Sequence, residues 1–153
     1  TRFDQQADAA GLGTPSPTGL SAYQTVIAAS LIQTEAGVDE DRPLIAAVII
    51  NRLRDGTMLQ IDSTLCFIKG GCTGSLTNAD KQLASPYNTY LVKGLPPTPI
   101  STVSTASLKA ALAPANVPYR FYVIADRSGK HAFAVTYEEH LKNVATARAK
   151  GLL

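Results

Sequence analysis

The segment ASLIQTEAG (residues 29–37) places a carboxylate where a helix is expected to be apolar. Ile27, Leu31 and Glu35 are spaced four residues apart, so they lie on one face of a helix. A carboxylate buried on that face without a cationic partner has a raised pKa, because its charged form loses hydration. Such a group suits general acid catalysis, for example protonation of the leaving oxygen when a glycosidic bond is broken.

The same spacing is compatible with two structural roles for Glu35. The carboxylate could form an ion pair with Arg42 or Arg52. Alternatively, the helix could end early and leave the side chain exposed to solvent. Periodicity does not decide among the catalytic role and these two structural roles.

Two long helices are predicted around this residue. Ser21 and Gln24 form a capping box ahead of an apolar run, and Gly37 is a natural end for the first helix. The second helix covers DEDRPLIAAVIINRLRDG (residues 39–56), with acidic residues and Pro43 at its start and a glycine at its end. Both helices carry apolar residues at helical spacing and are expected to be largely buried.

The rest of the chain predicts a loop, a short helix, a hairpin and a last helix. Residues 57–100 contain too many Pro and Gly residues for long regular elements, although MLQID fits a short strand. STASLKAALA predicts a helix, YRFYVIA and KHAFAVT a β-hairpin, and TYEEHLKNVATARAKG a capped helix. This order predicts an α+β fold with a small antiparallel sheet and a long irregular loop. Residues 1–20, rich in Gly, Pro, Ser and Thr, predict a linker segment ahead of one domain over residues 21–153.

The composition is that of an ordinary globular domain. The chain has 153 residues, is 45% hydrophobic and carries a net charge of +2, which is too small to predict binding to nucleic acid. No apolar run reaches the roughly 20 residues of a membrane span. Thr1 in place of Met indicates a processed or excised piece, so a targeting segment could be missing from the sequence. His131 and His140 lack further ligands at suitable spacing, so we expect neither a metal nor another cofactor.

Cys66 and Cys72 are the two cysteines, in the segment CFIKGGC. The short loop with two glycines predicts a disulfide, which would imply an extracytoplasmic setting. Two buried free thiols are the alternative. A zinc site is disfavoured because it needs four ligands.

Several motifs of the chain, taken in order, resemble the YceG-like family of endolytic murein transglycosylases. These motifs are ASLIQTEAG, AAVIINRL, LQIDST, SPYNTY, GLPPTPI and a hairpin strand with HAF. Together they cover roughly residues 20–145, and the ordered set is specific although each motif alone is weak. The resemblance implies cleavage of peptidoglycan between N-acetylmuramic acid and N-acetylglucosamine without water. The muramic O6 hydroxyl attacks its own anomeric carbon and leaves a 1,6-anhydro end.

The resemblance also implies roles for individual residues. Glu35 matches the catalytic glutamate, which would protonate the leaving O4 and then take the proton from O6. The nucleophile comes from the substrate, so a second carboxylate is not required. Gln60 and Asp62 would project from one face of an extended segment toward the sugar, and Asp62 could stabilise positive charge there. The alternative for Asp62 is a turn-forming residue that caps Thr64.

The segment SPYNTY is expected to form a sugar-binding loop through Tyr87, Asn88 and Tyr90. Tyrosine rings stack on pyranose faces and amides bind N-acetyl groups. The alternative is a turn whose tyrosines fill the core. Arg52 is expected to be structural, paired with an acidic group or with the helix end.

The family architecture adds an N-terminal transmembrane helix and a LysM-like subdomain. The resemblance therefore implies the catalytic domain of a membrane-anchored protein on the extracytoplasmic face of the bacterial cell membrane. Its expected partners are peptidoglycan glycan strands and, beyond them, cell-wall synthesis proteins, with a monomer as the default state. Two rival functions are a muramidase, with Asp62 activating water, and a peptidoglycan-binding module without turnover.

Overall fold

The computed structural model describes residues 1–153 and has an α+β fold, as predicted. The fold has six α-helices and one two-stranded antiparallel sheet. The elements are α1 (Arg2–Ala10), α2 (Ala22–Glu35), α3 (Arg42–Asp55), α4 (Asp62–Ile68), α5 (Thr105–Leu112), β1 (Phe121–Ile124), β2 (His131–Ala134) and α6 (Tyr137–Ala149). Short 3-10 turns lie at Asp39–Asp41 and Asp80–Gln82. None of the helices combines the length and the apolar character that crossing a membrane requires.

Helix α2 forms the centre of the core, packed against α3 and α5. Its predicted capping box is confirmed: the Ser21 hydroxyl accepts from the Gln24 N–H, and the Gln24 side chain accepts from the Ser21 N–H. Leu31 and Ile32 have no exposed surface. Burial of each such side chain contributes about 1.5–3 kcal/mol, so the helix that carries Glu35 is held firmly.

Helix α3 follows the prediction closely. Pro43 lies in its first turn, where the missing N–H costs nothing. Gly56 ends it in the left-handed conformation (φ 66°), and its N–H donates to the carbonyls of Arg52 and Leu53. The apolar residues Ile45 to Ile50 are buried, and α3 packs against both α2 and α5.

The first twenty residues differ from the predicted linker. Residues 2–10 contain neither Pro nor Gly, and they form α1 behind a capping box of Thr1 and Asp4. Gly11 ends the helix, and the Gly- and Pro-rich composition is confined to the residues after it. Ala7 is buried in the core beside α5, so α1 is a packed part of the fold.

The strand predicted for MLQID is wrong. Gln60 adopts a left-handed conformation (φ 53°), which breaks the alternation of a strand, and α4 begins at Asp62. Thr89 of the long loop fixes this bend. Its carbonyl accepts from the Gln60 N–H at 3.0 Å and its hydroxyl from the Ile61 N–H at 2.9 Å. The local sequence carries no signal for this partner.

The predicted hairpin is confirmed and contacts the end of α2. Tyr122 pairs with Phe133 and Ile124 with His131 in an antiparallel register. The turn between the strands brings Gly129 against Gly37, so closely that a Cβ on Gly37 would collide with the Gly129 carbonyl. Gly37 therefore permits a backbone contact between helix and hairpin, while α2 itself ends at Glu35.

The predicted disulfide between Cys66 and Cys72 is present, with the Cα atoms 5.0 Å apart. It joins the last turn of α4 to the glycine-containing loop that follows. The alternative of two free thiols is thereby wrong.

Candidate active site

Glu35 lies in a cleft of about 380 Å³ between the hairpin and the helices. The walls come from the ends of α2 and α3, the segment before α4, the long loop, β1 and α6. The polar and titratable residues of the lining are Glu35, Arg52, Gln60, Asp62, Tyr90, Arg120, Tyr122, His131, Tyr137 and His140. The cleft thus gathers such side chains from most of the chain.

The Glu35 carboxyl makes no ion pair. Its Oε1 accepts a hydrogen bond from the Tyr122 hydroxyl at 2.8 Å. The two arginines considered as partners are engaged elsewhere: Arg42 with Asp39 at 2.8 Å, and Arg52 with backbone carbonyls. The alternative of an ion pair for Glu35 is therefore wrong, and no cation neutralises its carboxyl.

Burial raises the pKa of Glu35 from 4.5 to about 7, and the nearby negative charge of Asp62 adds to the rise. The hydrogen bond from Tyr122 acts in the opposite direction, because it stabilises the charged carboxylate. Glu35 is also the last residue of α2, where the helix dipole disfavours negative charge. A carboxyl with this pKa can both donate and accept a proton near neutral pH.

Tyr122 is held in place by a chain of contacts that reaches the start of α3. Its ring lies edge-on to the His131 ring, with centroids 5.3 Å apart. The His131 backbone N–H donates to the Asp41 carboxylate at 2.7 Å, and the His131 Nδ1 lies 3.1 Å from the same oxygen. Asp41 is 1% exposed. Burial raises the pKa of Tyr122 well above its ordinary value, and the Glu35 charge adds to this, so the phenol remains a donor.

Tyr122 was not among the predicted site residues. The available signal was the hairpin register: Ile124 pairs with His131, and Tyr122 lies two residues away on the same face of β1. This register puts Tyr122 and His131 on one face of the hairpin, but it does not place Tyr122 beside Glu35.

Asp62 and Tyr90 form a second pair in the cleft. The Tyr90 hydroxyl donates to Asp62 Oδ1 at 2.5 Å, and burial followed by this bond raises the pKa of Tyr90. Asp62 is the first residue of α4, where a carboxylate is favoured by the helix dipole. It does not cap Thr64, whose hydroxyl donates to the Ile61 carbonyl at 2.7 Å, so that alternative is wrong. Gln60 lines the same cleft.

Tyr87 and Asn88 do not reach the cleft. Asn88 is completely buried, and its amide nitrogen donates to the carbonyls of Lys81 (3.1 Å) and Leu83 (2.8 Å). Its amide oxygen accepts from the Tyr90 N–H at 2.9 Å, so Asn88 fixes the loop that carries Tyr90. The Tyr87 hydroxyl bonds to the Thr98 hydroxyl instead of facing the cleft. Of the three predicted loop residues, the structure brings only Tyr90 into the cleft with Glu35.

Arg52 lines the cleft without an acidic partner. Its Nε donates to the Arg120 carbonyl at 2.6 Å and its Nη1 to the Met58 carbonyl at 2.8 Å, while its guanidinium lies 4.8 Å from the Phe121 ring centroid. Arg52 thus has the structural contacts that were expected of it, but its partners are backbone carbonyls and not an acidic group. Burial lowers the pKa of Arg52. This arginine fixes the start of β1 relative to α3 and places positive charge in the cleft wall.

His140 completes the far wall of the cleft, stacked on Phe121 with ring centroids 5.1 Å apart. Burial, and then the charge of Arg52, lowers its pKa, so the ring is neutral at physiological pH. Together these contacts describe a site with one carboxyl poised to exchange a proton and a second carboxylate bonded to Tyr90. Two carboxyl groups in such different environments suit an acid and an electrostatic stabiliser.

Comparison with known proteins gives consistent matches. The model of the YceG-like family matches residues 1–146. An endolytic murein transglycosylase of Bacillus subtilis (strain 168) is 37% identical over 123 residues, which are 80% of this chain and 34% of that protein. An endolytic murein transglycosylase of Streptococcus pneumoniae (strain D39) is 30% identical over 131 residues, 82% of this chain and 24% of that protein. The chain thus spans about a third or less of the length of these relatives.

The fold also matches a solved structure. The 2.6 Å crystal structure of a YceG-like protein from Listeria monocytogenes superposes with a TM-score of 0.77 at 33% sequence identity. The match covers 92% of this chain and 43% of that one. Nearly the whole fold therefore has a counterpart in a related protein.

Proposed function

This chain belongs to the YceG-like family, and we propose that it is a peptidoglycan lytic transglycosylase with Glu35 as its acid and base. The substrate is the β-1,4 bond between N-acetylmuramic acid and N-acetylglucosamine within a glycan strand. The names of the curated relatives and the geometry around Glu35 support this proposal.

The reaction balances with one protein carboxyl group. Glu35 donates its proton to O4 as the C1–O4 bond breaks, and the sugar that departs keeps the bonding electron pair on O4. The O6 hydroxyl of the muramic residue then forms a bond to C1 and returns its proton to Glu35. No water is consumed, and the product ends in a 1,6-anhydro ring. A pKa of about 7 leaves both protonation states of Glu35 accessible during the cycle.

The observation that carries this proposal is the environment of Glu35: a carboxyl without a counter-ion, held through one oxygen by Tyr122. Tyr122 engages Oε1, and the Ser63 side chain also stabilises the charged carboxylate, so β1 and α4 together orient the acid. Asp62, fixed by Tyr90, stabilises the positive charge that develops on the muramic ring, and Gln60 binds polar groups of the sugar.

The setting of the reaction is part of the same proposal. Peptidoglycan lies outside the cytoplasmic membrane, and the disulfide between Cys66 and Cys72 suits an oxidising, extracytoplasmic compartment. The family resemblance adds a membrane-anchored parent protein and contacts with the cell-wall synthesis machinery.

Mass spectrometry of the products from purified glycan strands tests the proposal. We expect anhydro-muramyl ends from this protein and none from Glu35→Gln. Glu138→Gln is the matched control, since Glu138 is an exposed α6 residue whose side chain is 82% accessible, and it should cleave as the parent does. Reducing ends would show hydrolysis, with Asp62 activating water, and binding without any product would show a peptidoglycan-binding module.

A further inference from the structure

A second cavity opens beside the catalytic cleft and carries an excess of positive charge. It lies between the end of α3, the segment that follows, the long loop and the residue before β1. Four residues line both cavities, so the two adjoin: Arg52, Gln60, Arg120 and Phe121. Its charged residues are Arg52, Lys93 and Arg120 against a single carboxylate from Asp55.

Two of these cations have no counter-ion. Arg120 Nε binds Asp55 at 2.8 Å, which neutralises that pair. Lys93 lines the cavity and forms no ion pair and no hydrogen bond through its ammonium group. Arg52 uses Nε and Nη1 on backbone carbonyls, which leaves Nη2 free and its charge unmatched.

An unmatched guanidinium is costly where it is partly removed from water. The lowered pKa of Arg52 reflects this burial. An anion in the cavity would offset the cost, and guanidinium and ammonium groups are the side chains with which proteins bind carboxylates. The cavity therefore has the chemistry of a carboxylate site.

We propose that this cavity binds a carboxylate of the peptide stem attached to the glycan strand, through Lys93 and the free nitrogen of Arg52. The inference rests on the proposed function, because the glycan strand in the cleft brings the stem with it. The sugar hydroxyl and N-acetyl groups are neutral, whereas the stem peptide carries carboxylates. When the stem is removed, the lactyl group exposes a carboxylate of its own, which is the second possible source.

Three forms of one glycan strand distinguish these sources: strands with free stem carboxylates, with amidated stem carboxylates, and with the stems removed. We expect Lys93→Gln to lower kcat/KM about 3- to 10-fold on free stems, mainly through KM. On amidated strands and on strands without stems, the kcat/KM of Lys93→Gln should approach that of the parent. Lys109→Gln is the control, because it removes the same charge from an exposed position on α5, outside both cavities. Its kcat/KM should equal that of the parent on all three forms of the strand.

Two results would overturn the assignment: no loss for Lys93→Gln on free stems, or an equal loss on free and amidated stems. A loss confined to stem-free strands would also overturn it, because the cavity would then bind the lactyl carboxylate instead. Binding of a soluble disaccharide-peptide to Glu35→Gln, measured by calorimetry with free and amidated stems, tests the site without turnover. If Glu35→Gln binds free stems more tightly than amidated ones and Glu35→Gln/Lys93→Gln does not, the carboxylate site is supported even when no strand is cleaved. Absence of cleavage would count against the proposed lytic function and not against the carboxylate site.

Discussion

Tyr122 and Glu35 lie 87 positions apart in the chain, yet the tyrosine hydroxyl donates a 2.8 Å hydrogen bond to the glutamate carboxyl. This bond and the Asp62 charge act on the same proton in opposite directions. Tyr122 stabilises the charged carboxylate, whereas burial and Asp62 favour the neutral acid. The acidity of Glu35 is therefore set by its neighbours on β1 and α4.

Removal of the tyrosine hydroxyl should weaken the acidity of Glu35. The kcat/KM of the parent should fall above about pH 7, where Glu35 loses its proton. In Tyr122→Phe this fall should move to higher pH, and kcat should drop about 10-fold because the carboxyl is no longer oriented. Tyr119→Phe, which removes a hydroxyl without a hydrogen-bond partner, should change neither. An unshifted profile for Tyr122→Phe would contradict the role of the bond.

Neutralisation of Asp62 should have the opposite effect on the pH profile. Asp62→Asn keeps the shape of the side chain but removes the negative charge that raises the pKa of Glu35. The alkaline fall in kcat/KM should move to lower pH, and the rate should decrease because the developing positive charge loses its stabiliser. The measurement is kcat/KM from acidic to alkaline pH with both variants side by side. Shifts in the same direction for Asp62→Asn and Tyr122→Phe would refute this account.

The raised pKa of Glu35 also predicts how stability depends on pH. Well below pH 4.5 the carboxyl is protonated in both the folded and the unfolded chain. Between pH 4.5 and about 7 the unfolded chain releases the proton while the folded protein keeps it, so the free energy of unfolding falls as pH rises. Glu35→Gln cannot ionise and should be about 1–3 kcal/mol more stable than the parent once the pH exceeds about 7.

Urea denaturation of both proteins, once at acidic and once at alkaline pH, measures this difference. Well below pH 4.5 the ionisation of Glu35 contributes nothing, so the two proteins should be nearly equally stable. The same difference at both pH values would mean that the substitution acts through packing and not through the proton.

Asn88 should stabilise the loop that carries Tyr90 without contacting the sugar itself. Asn88→Ala leaves the carbonyls of Lys81 and Leu83 without their donor, which should cost about 2–4 kcal/mol. Asn78→Ala, at an exposed position, should cost less than about 0.5 kcal/mol. Chemical denaturation of both variants provides the measurement. Unchanged stability of Asn88→Ala would contradict the bracing role.

Local signals predicted much of the fold. The capping boxes at Ser21 and Thr136 placed the starts of α2 and α6, and the glycine at residue 56 placed the end of α3. Four-residue spacing put Glu35 on the buried face of α2. The segments that were missed are α1, hidden by a Gly- and Pro-rich neighbour, and α4, whose start depends on the distant Thr89.

Among the site residues, too, those in local motifs were predicted and those that depend on distant contacts were not. Glu35, Gln60, Asp62 and Tyr90 meet in the cleft as the family motifs implied. Tyr122 could not be paired with Glu35 from sequence, because the contact joins distant segments. Asn88 stands in the same motif as Tyr90, and a motif does not show which of its side chains turns inward.

The backbone contact between Gly37 and Gly129 has a consequence for how the protein is made. A ribosome synthesises α2 long before the hairpin, so during most of translation Glu35 has neither Tyr122 nor the cleft walls around it. Contacts between such distant positions form late in folding, since a long loop must close first. Until then the carboxyl is hydrated and ordinary in acidity. The protein therefore acquires its unusual acid only after β1 and β2 have been synthesised, and a nascent chain that ends before them has the glutamate without its reactivity.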